Sequence, residues 1–207
     1  MTRREFMSAA TAAPLLRAAS RPPVIVPVHQ LLDGRVKWRP EQVRYFWSSL
    51  WPEAVHDLGR CGIQLQCSPR QGEVFRPPFR PPVITGLDRG VINLVVTDVI
   101  PMQWDNGLAL GGVTTLYRGY HLCMIALNHA HCHQVPFVSL NTCLHELLHA
   151  LLHDIFEGRP PGWRGQEREL RIDWYATLLW LFHDGAAIRK AAEAYVERLR
   201  LAAPTQS

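Results

Sequence analysis

The chain contains the stretch His145-Glu146-Leu147-Leu148-His149, an HExxH pattern. It lies within residues 140–156, where apolar residues recur at helical spacing, with Ser139 or Asn141 as the N-cap and Gly158 after the end. Residues four apart lie on one face of a helix, so both imidazoles can bind one metal ion. The stretch therefore predicts a metal-binding helix.

Glu146 follows the first histidine directly, so it points away from the face that the two imidazoles share. Its carboxylate cannot join them as a ligand, but it is placed to accept a proton from a water molecule that the metal activates. Zinc suits this role, because it lowers the pKa of its bound water to about 7. The motif predicts one Zn²⁺ ion on His145 and His149, with Glu146 as the catalytic base.

The third ligand is expected on a second helical segment, residues 166–182. Catalytic zinc sites use three protein ligands and keep one position open. Glu169 lies 20 residues after His149, and Asp173 follows one turn later on the same face. A zinc-bound histidine usually donates its second N–H to a carboxylate. We therefore predict that Glu169 is the third ligand and that Asp173 orients a ligating histidine.

An HExxH helix followed by a downstream Glu-x-x-x-Asp resembles the gluzincin metallopeptidases, of which thermolysin is a familiar member. The run from His145 to His153, with Glu167 and Asp173-Trp174-Tyr175, is also similar to the ImmA/IrrE type of bacterial metallopeptidase. The resemblance implies a zincin-like metallopeptidase that hydrolyses peptide bonds in a peptide or protein substrate through a zinc-activated water. Two alternatives stay open: a non-catalytic binding or regulatory protein with structural zinc, and a zinc hydrolase of a non-peptide bond.

Three further side chains belong to the candidate site. Tyr175 and His183 are candidate donors of hydrogen bonds to the oxyanion of the transition state. His153 lies eight residues after His145, so it either flanks the site or ends the helix without a role. In the alternative with structural zinc, His153 is a candidate fourth ligand that closes the site.

A second histidine-rich stretch holds His129, His131 and His133. Alternating histidines on a strand or loop can bind copper, nickel or zinc. No fourth partner is evident in the sequence, so a polar surface loop is the favoured interpretation and a second metal ion is the alternative.

The rest of the chain predicts an α+β fold. Helical spacing begins at Pro40, Pro52 is expected to kink or divide the helix, and Gly59 to cap it. Strands are expected over 62–67, 91–100 and 121–127, with loop or turn over 69–82 and 105–112 and a last helix over 186–202. We expect one zincin-like domain over 40–207, with a small mixed sheet and C-terminal helices, after a Pro-rich lead-in over 21–39. Residues 121–128 are the strand expected to bind substrate by β-augmentation.

The composition and charge of the chain argue against a membrane span and against a nucleic-acid partner. The 207 residues are 47% hydrophobic and 19% charged, as in a globular domain, and no apolar run is long enough for an ordinary membrane span. The 22 basic and 18 acidic residues are dispersed, so a nucleic-acid partner is not expected.

The N-terminal segment resembles a twin-arginine export signal. Arg3 and Arg4 precede a mildly apolar, alanine-rich stretch, and small residues follow up to Ser20. This order predicts a signal peptide over 1–20 and a periplasmic or secreted protein; the alternative is a plain N-terminal tail on a cytoplasmic one. In an oxidising compartment, Cys61 and Cys67 can close a small loop.

Overall fold

A computed structural model describes residues 21–76, 82–100, 111–128, 132–135, 138–152 and 185–202, with the backbone alone over 132–135 and 138–141. The strands are β1 Val24–Asp33, β2 Ile63–Gly72, β3 Val74–Phe75, β4 Val83–Ile84, β5 Ile92–Thr97, β6 Gly112–Tyr117, β7 Tyr120–Ala126, β8 Cys132–Val135 and β9 Val138–Asn141. The helices are α1 Pro40–Tyr45, α2 Trp51–Arg60, α3 Thr142–Leu151 and α4 Ala186–Ala202, and the π-helical turn Phe46–Leu50 joins α1 to α2.

Five strands form a mixed sheet in the order β2-β1-β5-β7-β6. The first four run parallel, and β6 pairs antiparallel with β7 at one edge. Two hairpins, β3–β4 and β8–β9, stand apart from this sheet. The predicted α+β class with a mixed sheet is confirmed.

The strand β1 corrects the predicted lead-in over 21–39. Val24–Asp33 pairs with β2 along its whole length and with β5 from Val28 onward. Pro27 misled the prediction, since proline is rare in central strands. Backbone N–H groups point alternately to the two sides of a strand. The N–H of Val24 points to β2, so the side on which Pro27 lacks an N–H faces β5. Pairing with β5 begins only at the next residue, Val28. The proline therefore costs no ladder hydrogen bond.

The helix that begins at Pro40 continues through the π-helical turn to Arg60. Pro52 stands in the first turn of α2, directly after the π turn, and the backbone stays helical at Leu50 and Trp51, so the proline does not divide the helix. The predicted cap is wrong, because Gly59 lies inside α2. The chain instead reverses at Gly62, whose φ of 71° is the left-handed conformation that glycine adopts without strain.

The edge strand β6 corrects a second prediction. The strand β7 lies between β5 and β6, so residues 121–128 offer no free edge to a substrate. Among the described residues, β6 is the edge strand on this side, and it was not predicted from the sequence. Its hairpin to β7 turns through Arg118 and Gly119, with φ of 51° and 80°. Two successive residues with positive φ are typical of the tight type I′ hairpin turn.

Two apolar cores lie on the two faces of the sheet. The larger core joins α2, α3 and α4 to alternate residues of the strands, including Val26, Leu94 and Ile125. The smaller core lies beneath the β3–β4 hairpin and includes Leu31 and Val95. Alternation along each strand directs its buried side chains to one core or the other. The helix α3, which carries the HExxH residues, packs with α2 and α4 on one face of the sheet.

The strand β5 and the helix α4 confirm the predictions over 91–100 and 186–202. The predicted loop over 69–82 is wrong at its start, because β2 continues to Gly72 and β3 follows. Cys61 and Cys67 are free thiols, so the small disulfide loop is not formed. No helix in the described part of the chain is long and apolar enough to span a membrane.

Candidate metal centre

The helix α3 carries the HExxH residues and is buried all round. Its ten residues are all buried, and it packs against β6 and β7 on the sheet and against α2 and α4. It begins at Thr142, directly after the predicted cap residue Asn141. Four leucines, a cysteine and an alanine make up most of the rest of the helix, so its burial is driven by apolar area. Within this apolar setting His145, Glu146 and His149 are only 4–6% exposed.

The two imidazoles converge on one point. The Nε2 atoms of His145 and His149 lie 2.9 Å apart, and the ring centroids lie 4.6 Å apart. Two nitrogens bound at 2.0–2.1 Å to one tetrahedral zinc ion are about 3.3 Å apart, so a shift of a few tenths of an ångström accommodates the ion. Neutral imidazole nitrogens are also the donors that zinc favours. The two histidines therefore fit a shared zinc ion, as the spacing predicts.

The side chain of Glu146 contacts the edge strand β6. The hydroxyl of Thr114 lies 2.6 Å from the Glu146 Oε2 atom and 2.9 Å from the Glu146 carbonyl oxygen. The hydroxyl has one proton, so it donates to one of these acceptors at a time. The bond to the carboxylate is charge-assisted and short, which favours it over the bond to the carbonyl. Thr114 therefore holds the carboxylate in place.

Gly112 lets the β6 backbone pass directly over this carboxylate. A Cβ atom at Gly112 would lie 2.5 Å from Glu146 Oε1 and 2.6 Å from Glu146 Cγ. Such distances are well inside van der Waals contact, so any other residue here would displace the glutamate or the strand. Sequence analysis missed both Gly112 and Thr114. The signal that could have revealed them is the alternating, β-branched run after Gly112, which is typical of a strand.

Two buried thiols lie on the sheet side of α3. The Sγ atom of Cys123 is 3.6 Å from the Glu146 carbonyl oxygen. Burial is the main cause that raises the pKa of the Cys123 thiol to about 12, and burial also raises the pKa of Cys143 well above its ordinary value. Both cysteines are therefore neutral at physiological pH, and they pack in the core beside α3.

The remaining predicted site residues lie outside the described residues: Glu169, Asp173, Tyr175, His183, His153, His129 and His131. His133 lies in β8, of which the backbone alone is described. Within the described ranges, no group of three His, Cys, Asp or Glu side chains forms a metal site. The third ligand therefore stays a prediction.

No family model, no curated protein and no solved structure matches this chain. The functional proposal therefore rests on the motif and on the surroundings of α3.

Proposed function

We propose that this protein is a zinc-dependent metallopeptidase with a zincin-like domain. The observation that carries the proposal is the close approach of the His145 and His149 Nε2 atoms on a helix that also buries Glu146. Two imidazoles and a carboxylate buried together on an apolar helix cost free energy of folding. Such a cost is typical of a site kept for chemistry.

The proposed zinc ligands are His145 and His149 from α3, with Glu169 as the predicted third donor. When bound, zinc supplies a Lewis acid that polarises the substrate carbonyl and lowers the pKa of a water molecule. Glu146 acts as the base that removes a proton from the attacking water and then passes it to the leaving amine. Thr114 orients Glu146 for both transfers.

The edge strand β6 supports a peptide as the substrate. An extended peptide can add to a free strand edge through main-chain hydrogen bonds. The strand β6 is such an edge among the described residues, and Gly112 and Thr114 bring its first half against Glu146. A peptide paired with β6 would thus run past the proposed base.

Two alternatives lead to different results. A binding protein with structural zinc has no need of a glutamate base, so a change at Glu146 would leave its metal and its binding intact. A zinc hydrolase of a non-peptide bond needs the base but not the edge strand. Cleavage of peptides by the wild type, lost on changing Glu146, separates the proposal from both.

The test is a broad fluorogenic peptide screen of the wild type and the Glu146→Gln variant. We expect wild-type cleavage, a loss of about a hundredfold or more in the variant, and full zinc content in both, because glutamine cannot accept the proton. Glu193→Gln is the control, since Glu193 is an exposed residue of α4 that pairs with Arg189. Equal cleavage by the wild type and Glu146→Gln would show that Glu146 is not the base.

A further inference from the structure

A pocket of about 380 Å³ opens on the face of the sheet opposite α3. It lies at the hairpin end of β6, beside the segment that follows β4, and its lining includes Leu87, Arg89, Tyr117, Arg118 and Tyr120. The volume lies within the range of pockets that bind small ligands. Two lining residues are cationic and none is acidic, so the pocket favours an anion.

Both arginines are held by aromatic rings and not by carboxylates. The Cζ atom of Arg89 lies over the ring of Tyr120, 5.6 Å from its centroid, and that of Arg118 lies over the ring of Tyr117 at 5.3 Å. Such a cation–π contact leaves the positive charge of the guanidinium without an anionic partner. Among the described residues, neither arginine forms an ion pair.

The nearest acidic residue in sequence is already paired elsewhere. Asp88 lies 3.2 Å from His29 Nδ1 and 3.6 Å from an Arg70 nitrogen. The Asn93 side chain also bonds the Asp88 backbone N–H and carbonyl, which holds this turn in place. Asp88 is therefore not positioned to neutralise Arg89. The two pocket arginines keep their charge for a ligand.

The pocket lies along the edge strand β6, which also contacts Glu146. Tyr117 is three residues from Thr114, and a strand rises about 3.4 Å per residue, so the pocket is about 10 Å along β6 from the Glu146 contact. Side chains of an extended peptide alternate between the two faces of the sheet. A peptide paired with β6 therefore presents every second side chain to the pocket face.

We propose that this pocket binds an acidic side chain of the substrate, about three residues from the cleaved bond. The proposal rests on the proposed function, because it takes β6 as the edge that binds the peptide. A carboxylate can receive paired N–H bonds from a guanidinium, which gives the pocket selectivity for Asp and Glu over their amides.

Binding is tested with fluorescein-labelled hexaglutamate and hexaglutamine peptides, by fluorescence anisotropy at low ionic strength. We expect hexaglutamate to bind the wild type more tightly than hexaglutamine, and Arg89→Gln with Arg118→Gln to weaken it about tenfold. Lys190→Gln with Arg200→Gln is the matched control. It removes the same charge from exposed positions of α4, which packs on the other face of the sheet. If both double variants weakened hexaglutamate binding equally, or if the wild type bound both peptides equally, the proposal that this pocket binds an acidic side chain would be overturned.

Cleavage separates this proposal from the proposed function. The wild type is assayed on fluorogenic peptides with Glu or Gln three residues to either side of the cleaved bond. If both are cleaved at equal rates, the peptidase proposal stands and the acidic pocket fails as a substrate site. If neither is cleaved but hexaglutamate binding still depends on Arg89 and Arg118, the pocket stands as an acidic-peptide site and the peptidase proposal fails.

Discussion

The hydroxyl of Thr114 is the contact that fixes the proposed base, so its removal should affect catalysis more than metal binding. We expect Thr114→Val to lower kcat about tenfold, because one charge-assisted hydrogen bond to Glu146 is lost while the shape is kept. Thr114→Ser should restore most of the activity, since serine supplies the same hydroxyl. Zinc content should be equal in all three proteins. Activity of Thr114→Val equal to the wild type would show that the contact does not position Glu146.

The sequence was enough to predict that His145, Glu146 and His149 lie together on one helix, but not which residues surround them. The spacing of His145 and His149 is local, so helical periodicity alone places them together. Thr114 is 32 residues from Glu146 in sequence, and its contact depends on which strand forms the edge of the sheet. Glu169 lies outside the described residues, so its place at the site stays a prediction.

Among the elements, the carboxyl ends of β1 and β5 are tied to the β3–β4 hairpin by one buried carboxylate. Asp33, with a fully buried side chain, accepts hydrogen bonds from the Val74 backbone N–H and the Thr97 hydroxyl, and Arg76 lies 3.6 Å away. We expect Asp33→Ala to lower the free energy of unfolding by about 3–5 kcal/mol, because buried donors lose their acceptor. Denaturant unfolding measures this change.

The control for this network is Asp98→Ala. Asp98 pairs with the same arginine at 3.1 Å, but its side chain is 35% exposed. Such surface pairs contribute about 1 kcal/mol or less. If Asp98→Ala proved as costly as Asp33→Ala, the hairpin would be held by Arg76 and not by the buried carboxylate.

Two of the strands that sequence analysis missed, β1 and β6, share one physical cause. Proline and glycine normally interrupt strands, and here Pro27 stands in β1 and Gly112 opens β6. Each is tolerated for a tertiary reason: Pro27 has no partner strand on its donor side, and Gly112 makes room for Glu146. Neither reason is visible in a local pattern. The helix α4 and the strand β5 were predictable because apolar spacing alone specifies them.

At the scale of the whole molecule, the sheet lies between the proposed base and the proposed recognition pocket. The described helices, with His145 and His149, lie on one face, and the hairpin β3–β4 and the arginine pocket lie on the other. The edge strand β6 is the element common to both. A substrate along this edge would therefore be cleaved on one side of the sheet and recognised on the other.

Export is a second prediction for the whole chain, and it rests on Arg3 and Arg4, which lie outside the described residues. We expect the Arg3→Lys, Arg4→Lys variant to stay in the cytoplasm, because twin-arginine signals are read through both guanidinium groups. Cell fractionation and the mass of the mature protein give the readout. An uncleaved wild type distributed like the variant would show that residues 1–20 are a plain tail.

The proposed zinc site is tested by titrating zinc into the purified protein against a competing chelator. We expect one zinc ion per chain in the wild type and a severe loss of zinc affinity in His149→Ala and Glu169→Ala. Asp173→Ala should lie between, at about 10- to 100-fold weaker binding, because it removes only the partner of a ligand. Glu167→Ala is the matched control, since two residues along a helix point about 200° apart, and it should bind zinc as the wild type does. Tight zinc binding by His149→Ala would contradict the proposed ligand set. Loss of zinc from Glu167→Ala with zinc kept by Glu169→Ala would contradict it as well.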